Sequence, residues 1–172
     1  MLAEVFETYT YKDYEKWEGD WELIGGIAYA MSPFAIVSHQ RVSTRIAYEL
    51  NKNKKCEECE ALVEAEWYID SENVVRPDVI FTCSDEEEKL TQTPEIIVEV
   101  VSKSSAKRDE VVKFDIYEKE RVKYYVLAYP EFKKAKIYKL KDGKYQKIGD
   151  FYNERFEFDL DCKSAIDFSK VF

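Results

Sequence analysis

Val74-Val75-Arg76-Pro77-Asp78-Val79-Ile80-Phe81-Thr82-Cys83 and, a dozen residues on, Glu95-Ile96-Ile97-Val98-Glu99-Val100-Val101 are the two segments on which the architecture turns. Both are rich in β-branched residues, and each carries one or more acids. The first reads as a strand interrupted by Pro77, a residue suited to the start of a ladder, an edge or a bulge. The second is a short continuous apolar run, the pattern of a strand covered on both faces. Counting by twos, Asp78 shares a face with Ile80 and Thr82, and Glu99 shares one with Ile97 and Val101. A carboxylate among apolar neighbours is costly unless it is neutralised or paired. A divalent cation would resolve that cost, and magnesium favours oxygen ligands of this kind. Salt bridges, Arg76 with Asp78 or Glu99 with Lys113, would resolve it equally.

The next segment has helical periodicity. Ser104 or Ser105 is a candidate cap for a helix over Ala106–Glu118, whose inward stripe is Asp109, Val112, Lys113, Ile116 and Tyr117. Lys113 stands four residues after Asp109, so an exposed ion pair is one reading. Its place on the stripe facing the sheet gives the other, a lysine held by Glu99 or by a phosphate.

Working outward, Thr8–Trp17 reads as a short helix capped by Thr8 or Thr10 and stopped at Gly19. Trp21–Ile24 and Ile27–Met31 read as strands around a tight Gly25-Gly26 turn, the unit ending at Ser32-Pro33. From Ala35 to about Lys54 the pattern is helical, with His39, Val42, Ser43, Ile46 and Leu50 on one stripe. His39, the only histidine, falls in the first turn as a packed or capping residue, or as a phosphate contact. Glu49 lies beside the stripe. Glu60–Ile69 and Val74–Cys83 read as one strand each, and Ser84–Lys89 as an acidic loop. Lys123–Tyr129 is a further strand closed by Pro130. A hairpin follows around Lys141-Asp142-Gly143, then a strand over Phe156–Leu160 and a short helix over Ser164–Phe168. The expectation is one α/β (α+β) domain over residues 1–172, a mixed β-sheet flanked by helices with an N-terminal hairpin.

The chain has 172 residues, 45% hydrophobic, with 13 Tyr and 10 Phe, enough for a real core. Its net charge of −9 argues against nucleic-acid binding through the overall field, though not through a local surface. Such a surface is at hand in Lys133–Lys147, with seven lysines and one aspartate interleaved with Tyr138 and Tyr145. It suits a phosphate backbone with stacked bases, or equally a lysine face that discourages edge pairing. No apolar run approaches the roughly 18–20 residues needed to cross a bilayer, and the N-terminus lacks the pattern of a signal peptide. The cytoplasm, and four reduced cysteines, are the expectation. Cys56 and Cys59 form a C-x-x-C, but no second cysteine or histidine pair follows at zinc-finger spacing, so an exposed pair at a helix end is the favoured reading.

The ordered set of Tyr-x-x-Trp, Trp21-Glu22-Leu23-Ile24-Gly25-Gly26, Met31-Ser32-Pro33 before His39, Arg76-Pro77-Asp78-Val79, Glu99-Val100-Val101-Ser102, Asp109-x-x-x-Lys113-x-x-x-Tyr117 and Tyr124-Tyr125-Val126-Leu127 resembles the Uma-two family of restriction-endonuclease-like proteins. That family is placed in the PD-(D/E)xK nuclease superfamily. The resemblance implies a restriction-endonuclease-like core and a metal-dependent endonuclease using Mg2+ or Mn2+ on DNA. Pro77-Asp78 matches the PD of the signature and Glu99 its acid. Val101 stands where the superfamily usually has lysine, and Lys113 on the next helix is the matching candidate. By the same likeness Glu49 is an accessory acid and a homodimer the expected assembly, while His39 is read as a second-layer or phosphate contact of that site. The rival reading is a binding or accessory module that keeps the fold without turnover. A third is an enzyme acting on a small phosphate-containing substrate.

Overall fold

The computed structural model describes residues 7–32 and 36–172. The expectations resting on residues 1–6, on Pro33 as the end of the first hairpin unit and on Ala35 as the start of the long helix lie outside the described residues. Helix α1 is shorter than its pattern, Tyr11–Tyr14, with the Asp13 carboxylate accepting both the N–H and the hydroxyl of Thr10 at 2.9 Å. Strands β1 (Trp21–Ile24) and β2 (Ile27–Ala30) form the expected hairpin. Gly25 and Gly26 have φ of 57° and 74°, the left-handed pair that a two-residue turn of this type requires. Helix α2 spans Val37–Asn53, and Val42, Ser43, Ile46 and Leu50 of the expected stripe are buried.

Two segments that read as single strands are each divided between two sheets. The first gives β3 (Glu60–Val63) and β4 (Trp67–Asp70), the second β5 (Asn73–Val75) and β6 (Val79–Thr82). Glu64, at φ 52°, turns the chain out of the first sheet, and Arg76-Pro77-Asp78 turns it back. The crossings brace one another: Glu64 N–H donates to Asp78 O at 3.1 Å, and Arg76 Nε to Glu64 O at 3.0 Å. Asp78 therefore sits at a sheet switch immediately before β6, not within one strand running over residues 74–83. The alternating pattern alone carries no mark of this, because both halves are apolar.

Strand β7 (Ile96–Val100) is buried along its whole length, as its continuous apolar run requires. A π-helical turn over Arg108–Val112 leads into α3 (Lys113–Lys119), which crosses to β8 (Tyr124–Tyr129), parallel to β7. Strands β9 (Lys134–Lys141) and β10 (Lys144–Phe151) make the lysine-rich hairpin, and β11 (Arg155–Phe158) and β12 (Ser164–Asp167) a second one. Residues 164–167 are strand rather than the expected helix. Ser164, Ala165 and Ile166 are all buried, with β12 packed on α2, and only a 3-10 turn over Phe168–Lys170 follows.

The main sheet is mixed, in the order β10-β9-β8-β7-β6-β3, and a smaller sheet runs β2-β1-β5-β4. One core cluster joins α2 and the β11–β12 hairpin to the main sheet through Ile46, Leu50, Phe81, Val98 and Ile166. The other lies on the opposite face, where Trp67, Ile80, Ile97, Tyr117 and Tyr125 meet. No helix among the described residues is long and apolar enough to cross a membrane.

The cysteines differ from the expectation. They form two disulfides, Cys56–Cys162 and Cys59–Cys83. The β3–β6 ladder carries Cys59 to Cys83, and the turn before β12 carries Cys162 to Cys56. Cys59 is buried, so the C-x-x-C is not an exposed pair.

Candidate active site

The β6–β7 register pairs Val79 with Val98. One more step along it sets Asp78 opposite Glu99, on the face shared with Ile80 and Ile97. Directly opposed residues of an antiparallel pair have Cβ atoms about 4.5–5.5 Å apart. The two acids that lie about 20 residues apart in sequence are thus cross-strand neighbours. Both line a cavity of about 210 Å³, together with His39, Arg108, Asp109 and Lys113.

Each carboxylate is held in place. Asp78 Oδ2 accepts the Val100 N–H at 2.6 Å, and Asp78 Oδ1 lies 3.2 Å from His39 Nε2. Glu99 Oε1 accepts both Lys113 Nζ and the Tyr117 hydroxyl at 2.8 Å. Lys113 Nζ also meets Glu22 Oε1 at 2.7 Å, and Asp109 Oδ1 lies 4.0 Å away. The anion-held reading of Lys113 is therefore the one observed. Its exposed i,i+4 pair with Asp109 is not, since the lysine is only 2% exposed.

Glu22 was not singled out by sequence. It is fully buried on β1, accepts the Arg76 N–H at 2.9 Å, and lies 3.7 Å from Arg108 Nε. The signal that could have found it is the one used for Glu99, an acid within an apolar strand, Trp21-Glu22-Leu23-Ile24. The long side-chain reach from the small sheet to α3 was not readable from that strand. The π-helical turn, whose extra residue per turn often marks functional positions, precedes Lys113 and contains Asp109.

The charge balance of the site is unequal. Glu22, Glu99 and Asp109 are buried around Lys113, with Asp78 close by and Arg108 partly exposed. Burial pushes Glu99 well above the usual carboxylate range despite the charge of Lys113, with Asp109, Asp78 and Glu22 adding to the rise. Burial also pushes Asp109 up to about 6. Burial disfavours the charge of Lys113, but Glu99 and Glu22 outweigh it and raise its pKa. For His39, burial is outweighed by the hydrogen bond to Asp78 and that residue's charge, and its pKa is raised. Surplus carboxylates in and beside the cavity, among them Glu22 Oε2, which accepts no hydrogen bond, make the oxygen-rich donor set that suits a hard divalent cation.

The other sequence candidates fall elsewhere. Glu49 is buried against the β11–β12 hairpin, where its carboxylate takes Asn53 Nδ2 at 3.1 Å and the Asp167 N–H at 3.2 Å, and it does not line the cavity. In the lysine-rich hairpin Tyr138 and Tyr145 pack on Phe114, and Tyr145 donates to Val122 O at 2.9 Å, so neither ring is laid open for base stacking. Lys139, Lys144 and Lys147 pair with Asp159, Glu118 and Asp150 at 2.7–2.9 Å.

A mixed sheet with Glu99 on a central strand, Asp78 at the entry to its neighbour and a lysine on the crossover helix is a restriction-endonuclease-like architecture. The Uma2 family model, described as "Putative restriction endonuclease", matches residues 9–157, and the chain belongs to that family. The fold is also similar to a crystal structure of a "putative nuclease belonging to DUF820" from Anabaena variabilis. The TM-score is 0.68 with 14% identity, over 80% of this chain and 83% of that one. No curated protein matches.

Proposed function

We propose that the chain is a metal-dependent endonuclease that hydrolyses DNA phosphodiester bonds, of the PD-(D/E)xK type. The observation that carries this is the convergence of Asp78, at the entry to β6, and Glu99, on the neighbouring β7, with Lys113 Nζ, from a different element, 2.8 Å from Glu99. Asp78 and Glu99 would hold a Mg2+ or Mn2+ ion. An ion held there would supply Lewis acidity, toward a water and toward the phosphate. The chain supplies the rest. The Val100 N–H and His39 fix the two oxygens of Asp78, so that carboxylate is oriented before any substrate arrives. Glu22 and Glu99 keep Lys113 charged inside the fold, where it can orient a water or neutralise charge developing on the phosphate. His39 and Arg108 line the same cavity and can meet phosphate oxygens.

In this reading the chain works as one domain in the cytoplasm, and the lysines nearest the site meet the DNA backbone. Register places Lys136 beside Leu127 and Leu127 beside Glu99, so Lys136 lies two strands from the acid, about 10 Å. The tip at Lys141–Lys144 lies further along the same strands, about 17 Å beyond Lys136. The base of the hairpin, not its tip, is the half suited to contact.

The test is cleavage of plasmid DNA with Mg2+ or Mn2+ by wild type, Asp78→Asn and Glu99→Gln. The expected result is metal-dependent nicking lost in both variants. Equal activity in all three proteins would overturn the mechanism. A binding module without turnover is the rival, favoured by Val101 standing where the superfamily usually has lysine. Calorimetric titration with Mn2+ separates the two, because the rival predicts no heat of metal binding.

A further inference from the structure

All four cysteines meet at one place, drawn from three separate parts of the sequence and outside the acidic cavity. Cys56 and Cys59 flank the entry to β3, Cys83 follows β6, and Cys162 precedes β12. The sulfurs of Cys56, Cys59 and Cys162 all lie within 4.8 Å of one another, and Cys83 is bonded to Cys59. We propose that these four residues form a tetrathiolate site for one structural zinc ion, the bonded form being its oxidised counterpart.

Three features favour the metal. The sulfurs of a tetrahedral zinc site, at about 2.3 Å from the ion, are about 3.8 Å apart, so once both bonds are reduced a small opening of each pair within the 4.8 Å cluster would seat the ion. An iron–sulfur cluster, which places several metal atoms between its cysteines, needs a wider one. The two cysteines of the C-x-x-C do not bond to each other. Each takes a partner from a different part of the chain, so the group has one centre and the two-plus-one-plus-one supply of a cross-linking ion. Finally, both disulfides tether the same four-residue segment, and the β3–β6 ladder already holds the ends that Cys59–Cys83 joins. A single ion joins the same three regions at once.

Lys54 Nζ donates to Cys59 O at 2.8 Å, and Glu58, Glu95 and Asp161 line the hollow at the cysteines, acids that favour a cation there. In passing from bonded to metal-bound form, each disulfide takes two electrons and two protons from a thiol reductant, which leaves as its own disulfide. The four thiols then release four protons as zinc binds.

The experiment uses full-length protein purified with a thiol reductant and without chelator. Elemental analysis is expected to find one zinc per chain, and a thiol reagent four cysteines that react only after denaturation with EDTA. Replacement of zinc by Co2+ should give intense sulfur-to-cobalt charge-transfer bands and the visible bands of a tetrahedral ion. Glu99→Gln should leave those bands intact, since carboxylates cannot produce them, and Cys162→Ser should weaken them severely. If Cys162→Ser does not fold, the wild-type spectrum decides alone. Reduced protein without zinc, or a Co2+ complex lacking the sulfur bands, would overturn the proposal.

Discussion

Glu22 and Lys113 meet at 2.7 Å with both side chains sealed from solvent, which ties the N-terminal hairpin to the helix that follows β7. Removing the lysine would leave Glu22 and Glu99 buried without their cation. Breaking a buried pair from one side costs about 3–5 kcal/mol. Lys113→Met is therefore expected to lower the unfolding free energy from urea titration by that order, and the double variant Glu22→Gln/Lys113→Met to recover part of the loss. Strict additivity of the two changes would show that the residues do not interact.

The same hairpin depends on Gly26. A Cβ there would come within 3.3 Å of both Thr8 Cβ and Tyr9 O, at a φ of 74°. An L side chain in the left-handed region costs roughly 1–2 kcal/mol before any clash. Gly26→Ala should thus destabilise by at least that order. Because β1 carries Glu22, nuclease activity should fall further than the folded fraction does. Gly25→Ala, with no atom within 4 Å, should cost only the backbone term. Equal losses for the two variants would refute the close-approach argument.

Local chemistry explains what was legible in the chain. The Gly25-Gly26 turn, the α2 stripe and the buried run of β7 each follow from a handful of adjacent residues, and the acids of Asp78 and Glu99 stood out as charges in apolar strands. The split of 60–69 and of 73–82 between two sheets was not legible, since it rests on one left-handed glutamate and on contacts between segments a dozen residues apart. Glu22 escaped because its partner, Lys113, is 91 residues away in sequence and packs against it only through the assembled sheets. The cysteine cluster escaped a spacing test for a similar reason, two of its members coming singly from distant turns.

Glu86 staples the acidic loop and gives it a pH signature. Its carboxylate accepts the Thr91 hydroxyl and N–H, the Gln92 N–H and the Ser84 hydroxyl. The Thr91 bonds, with help from the others, lower its pKa to about 2. A depressed folded pKa means stabilisation that is present above the unfolded value near 4.3 and lost as pH falls through about 2. Amide exchange at Thr91 and Gln92 should accelerate across that window, and Glu86→Gln should abolish the pH dependence. A carboxyl resonance of Glu86 titrating near 4.3 would remove the staple.

The position of the lysines makes the proposed DNA-binding surface separable from the rest of the hairpin. Lys134 pairs in register with Tyr129 and Lys136 with Leu127, at the end of the sheet that holds Glu99, and Lys103 is largely exposed on the loop after β7. Lys144, at the tip, is engaged by Glu118 at 2.7 Å. Each phosphate contact contributes about 0.9 to the slope of log affinity against log salt. Lys103→Ala/Lys134→Ala/Lys136→Ala should therefore weaken DNA binding and flatten that slope by up to about three contacts' worth. Lys141→Ala/Lys144→Ala should leave both nearly unchanged. Fluorescence anisotropy with a labelled duplex, in Ca2+ to hold back cleavage, reads both quantities. If the tip variant loses more affinity than the base variant, the duplex approaches from the other end of the sheet, and the placement of the scissile phosphate beside Glu99 is wrong.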